Sequence, residues 1–313
     1  MNYGQIISRA YDIVKKYRFL WALGILSGTA GVSFNFPMQI FQFNFDSFDR
    51  TKNSSSTLPR VLGESVSHQW FSDYFPFILL GLLLFVGLFI VLLWISLSCR
   101  AGLINGVCKI EKNETNLGFT KAFKRGEKFA WRLFLLNLII GILMLLLLLI
   151  FATPVLILVL FAPCTAAYVF IGIWAIIAIL FIFIISFYLT FLSILAERII
   201  VIKDYRVWQS LKMAKTIFRQ NIGTILVLWI INLGLSLAFG IVITLGLLIV
   251  GGILFGLGLL VYYLAHVIGA IICGVIFGLA LFSLILVLGG AFTAFISSFW
   301  TLAFKAILKE QNV

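Results

Sequence analysis

The sequence has few charged residues and almost no histidine. Only 11% of its 313 residues are Asp, Glu, Lys or Arg, against about 25% in an ordinary soluble domain. The two histidines, His68 and His266, are far apart, and most acidic residues lie beside Lys or Arg. Metal-assisted hydrolysis needs converging carboxylates and usually histidines, and no GxSxG, HExxH, Walker or dinucleotide motif is present. We therefore expect neither an enzyme nor a bound metal or cofactor.

Cysteine is also scarce. The four cysteines show neither CxxC spacing nor a neighbouring histidine, so they do not predict a zinc site. They are expected to be free thiols: Cys99, Cys108, Cys164 and Cys273.

Long apolar runs are abundant instead, since 63% of the residues are hydrophobic. Several runs exceed the 18 or so residues that mark a membrane-spanning helix. They predict an all-α, polytopic transmembrane helix bundle of about six spans. Four crossings are predicted at 19–34, 74–98, 129–151 and 168–196, with Pro154 and Pro163 bracketing a short connection between the third and fourth.

The last apolar run, 221–303, has no Lys, Arg, Asp or Glu. Both of its ends carry charge of the cytoplasmic type, so it holds an even number of crossings. Two long helices joined near Gly251, Gly252, Gly256 and Gly258 give six crossings in total. Four short helices give eight, and the sequence leaves both possibilities open.

Positive charge is concentrated at one side of the predicted membrane. Of 23 Lys and Arg residues, 20 lie in the four stretches 9–18, 100–132, 198–219 and 305–309. This alternation is typical of the positive-inside rule, so the net charge of +12 does not indicate nucleic-acid binding. It predicts cytoplasmic N- and C-termini in the inner membrane of a bacterium or archaeon, with 36–72 as an extracytoplasmic loop.

Three stretches of the chain resemble one another. A small or aliphatic residue precedes an aromatic one by seven positions in each stretch, which places both on one helix face. The pairs are Ala10 with Tyr17, Ala122 with Phe129, and Leu211 with Phe218. They predict three units, 1–113, 114–204 and 205–313, each an amphipathic interfacial helix followed by a helical hairpin.

Some of these segments resemble a known family. They are the cytoplasmic stretches 101–112 with 120–123 and 197–198 with 210–221, and the terminal run 294–303. They look like loops of poorly characterised prokaryotic membrane proteins similar to the membrane domain of glycerophosphoryl diester phosphodiesterases. The resemblance implies a six-helix inner-membrane protein, and it supplies no catalytic residue because catalysis in fused members belongs to a separate soluble domain.

Basic residues just before the crossings are candidate contacts for anionic lipid headgroups. Each such charge is worth about 1 kcal/mol beside an anionic leaflet, although simple topological anchoring explains the same pattern. We call these ten residues the basic collar: Lys15, Lys16, Arg18, Lys121, Lys124, Arg125, Lys128, Lys212, Lys215 and Arg219.

Few polar side chains interrupt the apolar runs. Asn137 and Asn232 are predicted to form contacts between helices, because an amide in hydrocarbon needs a partner. His266 follows Tyr262 and Tyr263, and is predicted to lie at the outer interface rather than to bind a proton for transport. The GxxxG pairs Gly252–Gly256 and Gly274–Gly278 predict close helix packing.

Three functions are compatible with these features. The first is a non-enzymatic membrane protein that organises lipids or partner proteins through the basic collar. The second is a permease or channel for a small or apolar solute, which a polar cavity reaching Asn137 or Asn232 would support. The third, a lipid-modifying enzyme, lacks a carboxylate or histidine cluster. The sequence predicts no specific substrate, protein partner or oligomeric state.

Overall fold

The computed structural model describes residues 2–29, 69–112, 114, 118–161 and 165–310. Within these ranges the regular elements are all helices, which confirms the predicted fold class. The predicted loop 36–72 lies outside the described residues, except for its last four positions, which begin α3. The helices are α1 (Tyr3–Lys16), α2 (Phe19–Thr29), α3 (Gln69–Glu111), α4 (Phe119–Phe161), α5 (Thr165–Lys203), α6 (Val207–Gln220) and α7 (Ile222–Glu310).

A two-residue joint, Tyr17 and Arg18, separates the amphipathic α1 from the apolar α2. The side chain of Asn2 caps α1 by accepting a hydrogen bond from the backbone N–H of Gln5. At the other end, the indole Nε1 of Trp21 donates to the carbonyl oxygen of Val14 at 2.9 Å. This bond satisfies a carbonyl that the end of α1 leaves without a helical partner, and it holds the two helices at a defined angle.

The helices α3 and α4 are much longer than a membrane is thick. Each has 43 residues, or about 65 Å of helix, whereas the hydrocarbon layer is about 30 Å. The predicted cytoplasmic segment between them is therefore mostly helical. Pro154 lies inside α4, so the prediction that it marks a connection was wrong. Membrane helices tolerate such a proline, although it leaves the Ile150 carbonyl without its usual N–H donor. The hydroxyl of the preceding residue, Thr153, donates to the adjacent Leu149 carbonyl at 2.6 Å.

A tight turn joins α5 to the second short amphipathic helix, α6. Asp204 follows α5 with a positive φ of 57°, the left-handed conformation that commonly ends a helix. Arg132 on α4 donates to the Asp204 carbonyl oxygen at 3.2 Å and also pairs with its carboxylate. This contact fixes the turn against the start of the α4–α5 hairpin.

The last apolar run folds back on itself. The rings of Phe239 and Phe292 stack with centroids 3.9 Å apart, whereas a straight helix would separate them by about 80 Å. α7 is therefore two antiparallel arms, Ile222–Tyr263 and Cys273–Glu310. Because Phe239 lies beside Phe292, two arms of equal rise place the reversal midway between them, at about residue 265. The connection predicted around Gly251 to Gly258 was therefore wrong, because those glycines belong to the first arm.

Two arms in α7 agree with the six-span count. Five helical segments are long and apolar enough to cross a membrane: Phe77–Glu111, Phe119–Leu158, Phe170–Lys203, Ile222–Tyr263 and Cys273–Glu310. A shorter apolar helical segment, Phe19–Gly28, accompanies them at the predicted first crossing.

The buried core occupies the end of the bundle that carries the charged residues. Leu20, Leu103, Leu133, Ile199 and Phe299 are all at most 1% exposed. Farther along the same helices, most large apolar side chains are exposed, as at positions 77–92, 142–150 and 173–184. Water does not tolerate an apolar surface of this size, so lipid covers it and the chain is a multi-pass membrane protein.

Two close helix crossings hold the charged end together. A Cβ on Gly24 of α2 would overlap the carbonyl oxygen of Gly290 on α7, and one on Gly126 of α4 would overlap the carbonyl oxygen of Ser98 on α3. By contrast, a Cβ at either predicted GxxxG pair would meet nothing within 4 Å. The prediction for these pairs was therefore wrong, because they lie where the helices expose their side chains.

Candidate binding cavity

A cavity of about 360 Å³ lies between the membrane helices near the charged end of the bundle. Residues from α2, α3, α4, α5 and both arms of α7 line it. Its polar lining is unusual for the interior of a membrane bundle. The polar residues are Ser27, Arg100, Asn137, Thr190, Ser193, Glu197, Arg198, Asn232, Ser236, Thr293 and Ser297.

Helical periodicity brings these polar side chains to one place. On α5, Thr190, Ser193 and Glu197 occupy positions i, i+3 and i+7 and so share one face. In the two arms of α7, Asn232 with Ser236 and Thr293 with Ser297 are each four residues apart and line the cavity together. The cavity is therefore the meeting point of several narrow polar stripes on apolar helices.

An ion pair between α3 and α5 forms part of the lining. Nη1 of Arg100 lies 3.1 Å from Oε1 of Glu197, and their side chains are 21% and 10% exposed. Removing charged groups from water is expensive unless they pair, so the burial of each group depends on the other. The two helix faces are thereby held in register beside the cavity.

Arg198 is a second guanidinium in the lining, and it is more deeply buried. The residue is 5% exposed; its Nη1 donates to the carbonyl oxygen of Ile194 at 2.6 Å, and its guanidinium carbon lies 5.9 Å from the ring centroid of Trp300. Its Nε has no hydrogen-bond partner among the described residues. A guanidinium stays protonated in proteins, so Arg198 places a positive charge here.

The two asparagines predicted to bridge helices both face this cavity. Within the described part of the chain, Nδ2 of Asn137 and Oδ1 of Asn232 are buried without a partner. A buried polar atom left unpaired costs about 1–3 kcal/mol. These two atoms are therefore a donor and an acceptor available to water or to a bound solute.

The third predicted polar residue, His266, has no described side chain. It lies on the helical backbone between the two arms of α7. The prediction that it occupies the outer interface therefore falls on a side chain outside the described residues.

The structure places the basic collar on three separate elements, α1, the first turns of α4, and α6, with Arg18 just after α1. Nine of its ten residues are exposed, and Arg125 is half-buried beside Glu114. The apolar faces of α1 and α6 are buried in the protein core through Ala10, Ile13 and Ala214. The collar therefore does not surround the cavity, and these two short helices do not offer their buried faces to lipid.

The sequence-based prediction missed all three charged residues of the cavity lining: Arg100, Glu197 and Arg198. It treated them as charges at the ends of cytoplasmic segments. One signal could have found them, since Thr190, Ser193 and Glu197 recur at helical spacing in an otherwise apolar run. Polar and ionisable residues within membrane segments usually mark functional sites.

Comparisons with known proteins identify the family but no activity. Neither a curated protein nor a solved structure matches the chain. A family model, described as a family of unknown function, matches residues 16–308 and so includes every residue that lines the cavity. Because the match extends over most of its length, the chain belongs to the DUF7544 family.

Proposed function

We propose that this protein is a permease that binds a small polar or charged solute in the cavity and moves it across a prokaryotic inner membrane. The observation that carries the proposal is the cavity itself, with two guanidinium groups, a carboxylate and two unpartnered amide atoms inside a membrane bundle. A bundle that only anchors a surface has no need of buried polar atoms, which are costly without partners.

The size of the cavity suits a small solute. Its volume of about 360 Å³ falls in the usual range for small-molecule sites, about 300–1,000 Å³. It would hold roughly a dozen waters at about 30 Å³ each. The charged lining favours a polar solute over the apolar alternative that the sequence also allowed.

The seam between α5 and α7 supports movement. These two helices touch at few places, and two of the contacts are between aromatic rings, Phe187 with Trp229 and Phe191 with Trp300. Helices that meet through a few rings separate at lower cost than helices with an extended interface. Transporters commonly alternate their access by rocking one helical group against another, and this seam is where we place such a motion.

Uptake into proteoliposomes tests the permease directly. Labelled inorganic phosphate, glycine and choline represent anionic, zwitterionic and cationic solutes. We expect at least one to enter faster than into protein-free liposomes. The substitution Ser193→Trp fills the cavity with an indole and is expected to return uptake to the protein-free rate. Ile176→Trp on the same helix is the control, since Ile176 is 68% exposed and faces lipid.

The permease proposal fails if no probe enters faster than into protein-free liposomes. It also fails if Ser193→Trp and Ile176→Trp proteins take up solute equally well.

A second candidate function, the organisation of anionic lipids by the basic collar, rests on a different observation. Lys212 and Lys215 are exposed on α6, and Trp208 beside them is 64% exposed. The Lys212 ammonium lies 5.9 Å from the Trp208 ring centroid. Tryptophan beside basic residues is typical of a membrane interface, so this face of α6 is suited to headgroup contact.

Reconstitution in nanodiscs separates the two candidates. If the collar recognises anionic lipid, phosphatidylglycerol will raise the melting temperature of the full chain relative to phosphatidylcholine alone. The Lys212→Gln/Lys215→Gln/Arg219→Gln variant will lose most of that difference, while Ser193→Trp will retain it. Equal lipid dependence in the wild type and the triple variant would refute this role.

A further inference from the structure

We infer that the cavity is selective for an oxyanion, a phosphate-type group, and that the Arg198 guanidinium is its principal contact. This inference rests on the proposed function, because it names the solute class of the same site. The charged groups of the lining are the guanidiniums of Arg100 and Arg198 and the carboxylate of Glu197. One positive charge therefore remains uncompensated within the cavity.

The remaining charge belongs to Arg198 rather than Arg100. Arg100 is paired with Glu197 at 3.1 Å, whereas no carboxylate in the described ranges forms an ion pair with Arg198. The groups that contact Arg198, the Ile194 carbonyl and the Trp300 ring, are both neutral. A buried cation without a counter-ion is costly, and a bound anion would relieve that cost.

The available hydrogen-bonding atoms fit an oxyanion better than a cation. The Nε–H of Arg198 and the amide Nδ2 of Asn137 are buried donors without partners in the part of the chain described. A guanidinium edge presents N–H groups at the spacing of two oxygens of a phosphate or carboxylate. Donors on two facing helices, α5 and α4, would hold such a group from two sides.

The other possible ligands fit less well. A cation would have to approach Arg198, and its carboxylate ligand Glu197 is already paired with Arg100. A neutral solute would leave the charge of Arg198 uncompensated. The phosphate group could belong to a soluble ion or to a lipid whose acyl chains remain outside the cavity, and the two sources share the same contact chemistry.

Binding to the purified full chain tests the inference without requiring transport. The protein in a maltoside detergent is titrated by calorimetry with inorganic phosphate in one arm and dihexanoyl phosphatidylglycerol in the other, at constant ionic strength. We expect saturable binding of one molecule per chain in at least one arm. Binding in the phosphate arm identifies a soluble oxyanion, and binding in the lipid arm alone identifies a headgroup.

Variants locate the bound group. Arg198→Gln is expected to weaken binding at least about tenfold, because a charge-assisted hydrogen bond and a counter-charge are lost. Asn137→Leu is expected to weaken it about fivefold, and it serves as the second test if Arg198→Gln does not fold. Arg206→Gln is the matched control, since it removes one positive charge from an exposed site outside the cavity.

The inference is overturned if neither probe binds, or if Arg198→Gln and Asn137→Leu bind as tightly as Arg206→Gln. The two tests distinguish failure of this inference from failure of the permease proposal. Uptake of choline with no binding in either arm would refute the oxyanion inference alone, and phosphate binding without uptake of any solute would refute the permease alone.

Discussion

The Nη1 atom of Arg100 on α3 lies 3.1 Å from Oε1 of Glu197 on α5, although the two residues are 97 positions apart in the chain. The pair joins two helices across the cavity at the boundary between the buried core and the polar lining. It also determines which guanidinium of the cavity remains without a carboxylate. The stability of the bundle and the charge of the site therefore depend on the same contact.

Breaking this pair will destabilise the protein. Glu197→Gln leaves both guanidiniums of the cavity without a carboxylate in its lining, and we expect a loss of about 3 kcal/mol in the free energy of unfolding. The Arg100→Gln/Glu197→Gln variant should lose less than the sum of the two single variants. Thermal unfolding in detergent measures the stability of the wild type and the three variants, and Glu127→Gln, at an exposed position, is the control. Simple additivity of the single losses would show that the two side chains do not interact.

A second ion-pair cluster predicts a pH dependence. Lys109 Nζ lies 2.6 Å from Glu114 Oε1, and Arg125 Nη1 lies 3.3 Å from Glu114 Oε2. The hydrogen bond from Lys109, and then that from Arg125, lowers the pKa of the Glu114 carboxyl below its ordinary value of 4.5. Since the folded pKa is the lower one, the stabilisation is complete well above 4.5 and is lost as the pH falls through the lowered folded value.

The Glu114→Gln variant isolates this effect. Its melting temperature should be below that of the wild type at about pH 7, and the difference should shrink as the pH falls below 4.5 and through the lowered folded pKa of Glu114. Because Glu114 is exposed, the difference will be small. A difference that stays constant over this range would mean that the carboxylate charge does not contribute.

Membrane orientation gives a third prediction. Tyr205 is 40% exposed in the turn between α5 and α6, which the positive-inside rule assigns to the cytoplasm. Asn53 lies in the predicted extracytoplasmic loop. The test introduces one cysteine at either position in a chain whose four native cysteines have been replaced. Intact cells are then treated with a membrane-impermeant maleimide, and the two variants should differ in labelling. Asn53→Cys should be labelled, and Tyr205→Cys only after permeabilisation. Labelling of both in intact cells would contradict the topology.

The sequence predicted the helical class and about six spans, because a long uncharged segment in lipid satisfies its backbone hydrogen bonds as a helix, but it left eight spans open. It did not predict where the helices end. Charge assigned 100–128 to a cytoplasmic segment outside the crossings, yet the membrane helices extend into it: α3 continues to Glu111 and α4 begins at Phe119. Packing decides this outcome, since the charged ends of these helices bury Leu103 and Ala122 against their neighbours.

The cavity forms where particular helix faces meet. Residue spacing in the sequence identifies the polar face of each helix, but it does not show which face of another helix lies against it. Asn137 and Asn232 were identified as polar residues in apolar runs, whereas their shared location in one cavity required the arrangement of all the helices in the bundle. Arg198 looked like one more charge near the membrane boundary. Only the structure shows that it is 5% exposed and forms no ion pair with a carboxylate in the described ranges.

The threefold repeat stays a prediction. α1 and α6 are both separate 14-residue amphipathic helices, but the corresponding segment of the second unit is continuous with α4. The register also differs by one position from the predicted one, because Ser210 is fully buried whereas Leu211 is only half-buried. The absence of catalytic function likewise stays a prediction.

The crossing of α2 and α7 predicts a strong difference between glycines of the same chain. A Cβ on Gly24 would overlap the carbonyl oxygen of Gly290 and lie 3.3 Å from the backbone nitrogen of Ala294. Backbone atoms cannot rotate away as a flexible side chain does, so the helices must separate. We expect Gly24→Ala to cost about 1–3 kcal/mol of stability.

Gly252→Ala and Gly274→Ala are the controls, since a Cβ at either position meets nothing within 4 Å. They should be neutral or slightly stabilising, because alanine favours a helix by up to about 1 kcal/mol over glycine. The fraction of protein that remains monodisperse after heating in detergent measures all three variants. α2 also contributes Ser27 to the cavity, so Gly24→Ala should weaken oxyanion binding as well. Equal heat resistance in Gly24→Ala and Gly252→Ala would show that α2 does not pack against α7 at this point.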